Sequence, residues 1–123
     1  MSDDKIVTKI KFKVAVDTSI IPPVFTFYNE ENQATNGSVT AYSGEETQII
    51  YSLPATDFFF VTPFITNNFN EDFYHRISAE RQTLIIIDKG EYEDNIGLQL
   101  IIEQQSTGQR FASPDPRIKN VGR

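Results

Sequence analysis

Between Ile6 and Val16 the apolar side chains fall mainly on even positions, at Ile6, Ile10, Phe12, Val14 and Val16. Four lysines, Lys5, Lys9, Lys11 and Lys13, fall on odd ones. Successive strand residues point to opposite faces, so this period of two predicts a half-buried strand. Val7 shares the lysine face, and no aromatic residue does. Lysines on a strand are the usual guard of a sheet edge that would otherwise template pairing with another chain. The expectation is therefore a guarded edge strand rather than a phosphate-gripping stripe, which would need stacking aromatics.

Pro22 and Pro23 interrupt the pattern, because neither can donate to a ladder. Phe25, Thr26 and Phe27 resume it. Asn36-Gly37 is the strongest hairpin signal in the chain, since both residues tolerate positive φ, and Val39, Thr40 and Ala41 leave it as the next strand. After a reversal at Ser43-Gly44, Thr47, Ile49, Tyr51 and Leu53 alternate up to Pro54. Leu84 to Ile87 reads as a short buried strand ended by Asp88-Lys89-Gly90. Leu98, Leu100 and Ile102 alternate again, and Ser106-Thr107-Gly108 turns the chain into a strand around Arg110-Phe111-Ala112. Residues 68–82 fit both periods, and are read as a loop with one short helical turn before a strand from Tyr74.

The run Phe58-Phe59-Phe60-Val61-Thr62-Pro63-Phe64 is apolar on both parities. Pro63 argues for an edge position, and an edge strand apolar on both faces needs a cover. Either the loop with Phe69 and Phe73 folds over it, or a second subunit does. Phe58, Phe60 and Phe64, which share a parity, are the candidate interface.

Taken together the chain reads as all-β, an antiparallel immunoglobulin-like sandwich of seven or eight strands forming one domain over 1–123. An extended tail, 113–123, follows, because Pro114 and Pro116 fix φ and bar their predecessors from helix. Composition agrees: ten Phe and five Tyr accompany many Ile and Val, with one Met and no Trp. Such residues suit a pleated surface better than a helical turn.

Charge changes the picture in one respect. The net charge of −6 argues against nucleic-acid binding, which needs a positive field. Yet most basic residues lie in the terminal stretches, leaving Arg76, Arg81 and Lys89 against fourteen carboxylates between Val14 and Gln109. An acidic body with basic ends favours contact between copies or with a protein partner. The polar start of the chain lacks a secretory signal pattern, and no window has the ~18 apolar residues of a membrane span. A cytoplasmic protein is expected.

Candidate chemistry is sparse. With no cysteine, disulfides, thiolate metal sites and thiol catalysis are excluded. His75 is the only histidine, and without a nucleophile-elbow sequence a hydrolase built on it is a distant third reading. Asn68, Asn70 and Asp72 imitate the start of a calcium loop, but Phe73 and Ala79 stand where that loop needs Gly and Glu. A looser cation site from Glu71, Asp72 and Glu91 to Asp94 is weighed and set below solvated loop carboxylates. No cofactor, no metal and no enzymatic activity are expected.

The tail Ala112-Ser113-Pro114-Asp115-Pro116-Arg117-Ile118-Lys119-Asn120 resembles the C-terminal signature of the DP-EP family, small bacterial proteins of unknown function. Asp115-Pro116, with Ile118 and Asn120 behind it, matches the Asp-Pro half, whereas Val121-Gly122 stands where Glu-Pro belongs. The resemblance implies a β-sandwich of uncharacterised role and carries over no catalytic residue. A more distant likeness, to bacterial inclusion-body proteins, implies self-association. The leading expectation is a non-enzymatic protein-interaction or self-assembling module whose partner is a second copy of itself. Its contact residues would be Phe58, Phe60, Phe64, Asp115, Pro116, Ile118 and Asn120. The alternative is a carbohydrate- or small-ligand-binding sandwich with Tyr28, Tyr42 and Tyr92 on its rim.

Overall fold

The computed structural model describes residues 6–92, 95–114 and 116–121, and among them there is no helix. Eleven strands are present: β1 (Val7–Asp17), β2 (Val24–Tyr28), β3 (Ala34–Thr35), β4 (Val39–Tyr42), β5 (Glu46–Ser52), β6 (Phe58–Thr66), β7 (Phe73–Ile77), β8 (Thr83–Asp88), β9 (Asn95–Gln104), β10 (Arg110–Ala112) and β11 (Arg117–Val121). The first sheet has the order β3-β2-β1-β5-β8-β7. In the second, β6 flanks one side of β9, β10 and β11 share its other side end to end, and β4 lies beyond β11. Among the described residues no helix is long and apolar enough to cross a membrane.

The two sheets enclose one core, and period-two patterning decides who enters it. Phe12 and Val14 of β1, Ile49 and Tyr51 of β5, and Leu98, Leu100 and Ile102 of β9 are all buried. Phe12 stacks on Tyr51 with centroids 5.5 Å apart, and Phe27 meets Tyr51 edge-on at 5.8 Å. Such pairs add ~0.5–1.5 kcal/mol each beyond the area they bury. Tyr51 is fully enclosed, so its hydroxyl needs an acceptor, which it finds in the carbonyl of Gly37 at 3.1 Å. Burial also holds that hydroxyl well above the usual tyrosine range.

Four expectations are corrected. Eleven strands stand among the described residues where seven or eight were expected. The sheets are mixed rather than antiparallel: β1 runs parallel to β5, and β4 parallel to β11. The cause is topological. After β3 the chain crosses to the second sheet for β4 and returns for β5, so a neighbour can arrive in the same direction without a crossover helix. Asn36-Gly37 makes that crossing instead of a hairpin, because β3 and β4 lie in different sheets. Residues 68–72 contain no helical turn, and β7 starts at Phe73. Within the extended tail, Arg117–Val121 form β11. β11 is an inner strand, bonded to β9 on one side and β4 on the other.

Candidate functional site

β1 sits inside its sheet, not at the margin, yet each neighbour covers only half of it. β5 pairs with Val7–Lys13 and β2 with Lys13–Asp17. The carbonyl of Ile6 accepts the Glu46 N–H at 2.9 Å, so even-numbered residues address β5. Strand alternation then turns the N–H and C=O groups of Val7, Lys9 and Lys11 towards the β2 side. There β2 has already left at Tyr28, and no described residue bonds to them. Half of an inner strand is an open edge.

A groove of about 470 Å³ runs along this edge. Ile10 and Phe12 line it from β1, and Glu30, Glu31, Thr35 and Ser38 line its far wall. The wall is shaped locally by the Asn29 side chain, whose carbonyl oxygen accepts the N–H groups of Glu31 and Gln33, each at 3.0 Å. Lys9, Lys11 and Lys13 are exposed on the outer face above it. None of the three is ion-paired with a described residue, the salt bridge present being Arg110–Glu103. Lys5 lies outside the described residues.

The residues singled out in the sequence scatter. Phe58 and Phe60 are core residues, 8% and 0% exposed, and offer no surface to a second subunit. Phe64 is 57% exposed. The parity argument fails at Thr62-Pro63, where β6 carries one residue more than β9. The register passes from Val61↔Ile101 to Phe64↔Gln99, a bulge that turns Phe64 outward. The edge position inferred from Pro63 is real, since β6 pairs only with β9. The Arg81 guanidinium lies 5.7 Å from the Phe59 centroid, and of the two residues expected to cover the strand Phe73 is buried in the core while Phe69 is exposed. Pro116, Ile118 and Asn120 are buried, because the strand they belong to is internal. Asp115 lies outside the described residues. His75 is half-buried in β7 opposite Ile86. Tyr28, Tyr42 and Tyr92 are all partly exposed, but the grooves beside Tyr28 include neither of the others.

What sequence reasoning missed is an acidic pair beneath the second end of the sandwich. Asp72 and Asp88 are both buried. Asp72 accepts the backbone N–H groups of Glu91 and Tyr92 at 3.2 Å. Asp88 Oδ1 accepts the Gly90 N–H at 2.9 Å and the Asn120 side-chain amide at 3.1 Å. Asp88 Oδ2 has no donor. Burial, reinforced by the charge and carboxyl contact of Asp72, pushes Asp88 up to about 6 against the opposing pull of Asn120 and Gly90. Among the described residues no group of three His, Cys, Asp or Glu could hold a metal ion, and Glu93 and Asp94 of the weighed cation site lie outside them.

Among solved structures the chain is similar to an inclusion body protein from Burkholderia cenocepacia J2315. The identity is 9% and the TM-score 0.48, with 100% of this chain and 99% of that one covered. It is also similar to the McoA multicopper oxidase of Aquifex aeolicus, at 12% identity and a TM-score of 0.37, covering 97% of this chain but 30% of the oxidase. No curated protein matches. The family comparison is decisive: residues 8–122 match the DP-EP family along almost the whole chain, which belongs to that family.

Proposed function

We propose that the protein is a non-enzymatic protein-interaction module that takes up a partner by strand addition. The observation that carries this reading is the open edge at Val7, Lys9 and Lys11, inside a sheet whose other central ladders are filled. Exposed backbone donors and acceptors in a row bind extended chain through main-chain hydrogen bonds. The reading needs no cofactor, metal, nucleic acid or membrane, and a cytoplasmic setting suits it. Self-association has a separate support in the exposed aromatics Phe64 and Phe69, which are 57% and 85% accessible near the outer end of β6.

Amide exchange tests it. In the free protein the amides of Lys9 and Lys11 exchange quickly, whereas those of Ile10 and Phe12, bonded to β5, are slow. An added extended peptide should protect Lys9 and Lys11. Unchanged exchange at both amides under every condition overturns the reading.

A further inference from the structure

The second sheet contains a filled version of the same arrangement. One flank of β9 is shared by two short strands end to end: β10 opposite Ile101–Glu103 and β11 opposite Asn95–Gly97. The corresponding flank of β1 has β2 opposite Lys13–Asp17 and, among the described residues, no strand paired with Val7–Lys11. The vacancy is one short strand long, about the length of β11. A strand placed there would turn one set of side chains inward beside Ile10 and Phe12, and the other outward beside Lys9 and Lys11.

We infer that this position takes an extended segment of a different protein, apolar on its inner face and acidic on its outer face, and rejects a second copy of this chain. The inference rests on the strand-addition reading and specifies its partner. The lysines decide between the two occupants. Two copies joined through this edge would bring Lys9 and Lys11 of each into cross-strand positions on one face, and like charges directly opposite are destabilising. Carboxylates in those places meet lysines that have no ion pair of their own among the described residues. The residues that guard the edge against itself are therefore the ones that select a partner. Glu30 and Glu31 line the same groove as Lys9 and Lys11 and oppose an acidic strand, so they limit its affinity.

The probe is a blocked heptapeptide alternating aspartate and valine, titrated into the full chain by calorimetry beside its serine/valine and lysine/valine counterparts. The aspartate peptide should bind best, and more weakly as salt is added. Lys9→Glu with Lys11→Glu should weaken it about tenfold or more and transfer preference to the lysine peptide. Glu30→Gln with Glu31→Gln should tighten it. Methylating the peptide nitrogens that face β1 should abolish binding without touching the protein's own folding. If the serine peptide binds as well as the aspartate one, strand addition stands and the inference falls. The inference also falls, with strand addition intact, if the chain dimerises and the dimer protects Lys9 and Lys11. If no peptide of any charge binds, both fall.

Discussion

Asn120 of β11 donates its side-chain amide to Asp88 of β8 across 3.1 Å, joining the family's C-terminal signature strand to the opposite sheet. Both residues are buried, at 4% and 0% exposure, so the bond is screened by no water. Asn120→Leu removes the donor while keeping much of the volume, and leaves Asp88 Oδ1 with only the Gly90 N–H. Losing one hydrogen bond to a buried carboxyl costs ~1–3 kcal/mol, which a shift in the urea midpoint would measure. The substitution also removes an influence that lowers Asp88, so its titration should move upward.

The same carboxyl makes stability depend on pH with an unusual sign. Asp88 is raised from 3.8 to about 6 in the folded chain, so the folded state holds its proton more tightly than the unfolded one. Its contribution is fully present below 3.8 and is lost as pH rises through about 6. A shift of roughly two units corresponds to ~3 kcal/mol. Asp88→Asn keeps an acceptor oxygen for Gly90 and Asn120 and cannot titrate. Denaturant melts of both proteins should therefore show the native chain losing ~3 kcal/mol relative to the variant between about pH 4 and pH 7. Parallel pH profiles would refute the assignment.

Gly90 closes the turn after Asp88 with φ of 74°, in the left-handed region. A Cβ there would stand 1.8 Å from the Glu45 carbonyl oxygen, and that contact is backbone against backbone. Neither side can yield, because the Gly90 carbonyl itself accepts the Gly44 N–H at 2.8 Å. Gly90→Ala combines backbone strain with a clash that must move the β4–β5 turn. A loss of more than ~3 kcal/mol is expected, read as a lowered thermal midpoint.

How much of this could be read from the chain depends on where period two survives. It runs unbroken through Thr47, Ile49, Tyr51 and Leu53, and every one of those is buried. It fails at Pro63, because a bulge inserts a residue that no spacing rule announces, and Phe64 changes sides. The open edge was half legible. The lysines of β1 read as the guard of an edge strand, whereas β1 is an inner strand open over part of one side. A strand with two half-length neighbours is a property of pairing that one strand's pattern does not contain. Asp72 and Asp88 looked like turn carboxylates, since nothing local reveals that residues sixteen apart share a buried contact. At Asn36-Gly37 only Gly37 takes positive φ, 79°, and no hairpin forms, because turn residues do not say which sheet the next strand joins.

The tail supplies a test of the fold itself. Pro114 and Pro116 made residues 113–123 read as an extended appendage, yet β11 is the strand through which β4 is held in the second sheet. Deleting everything after Ala112 removes fully buried Ile118, strips β4 of its ladder and takes Asn120 from Asp88. The shortened chain should show no cooperative thermal transition and a collapsed amide spectrum. A sharp transition near that of the full chain would mean β11 is dispensable.

Phe60 and Phe64 separate folding from association, although the sequence places them on one face. Phe60 is fully buried, and its N–H donates to the Arg81 carbonyl at 2.7 Å in the middle of the β6 wall. Phe60→Glu would bury an unpaired charge, which costs several kcal/mol at least (~4 or more), and the variant should be unfolded by circular dichroism. Phe64 lies beyond the bulge with more than half its surface in water. Phe64→Glu should leave stability within ~0.5 kcal/mol, because no core contact is lost. Any mass above one chain in light scattering should fall with Phe64→Glu if the exposed aromatics carry self-association. A mass unchanged by that substitution, in a protein still folded, would remove Phe64 from the contact.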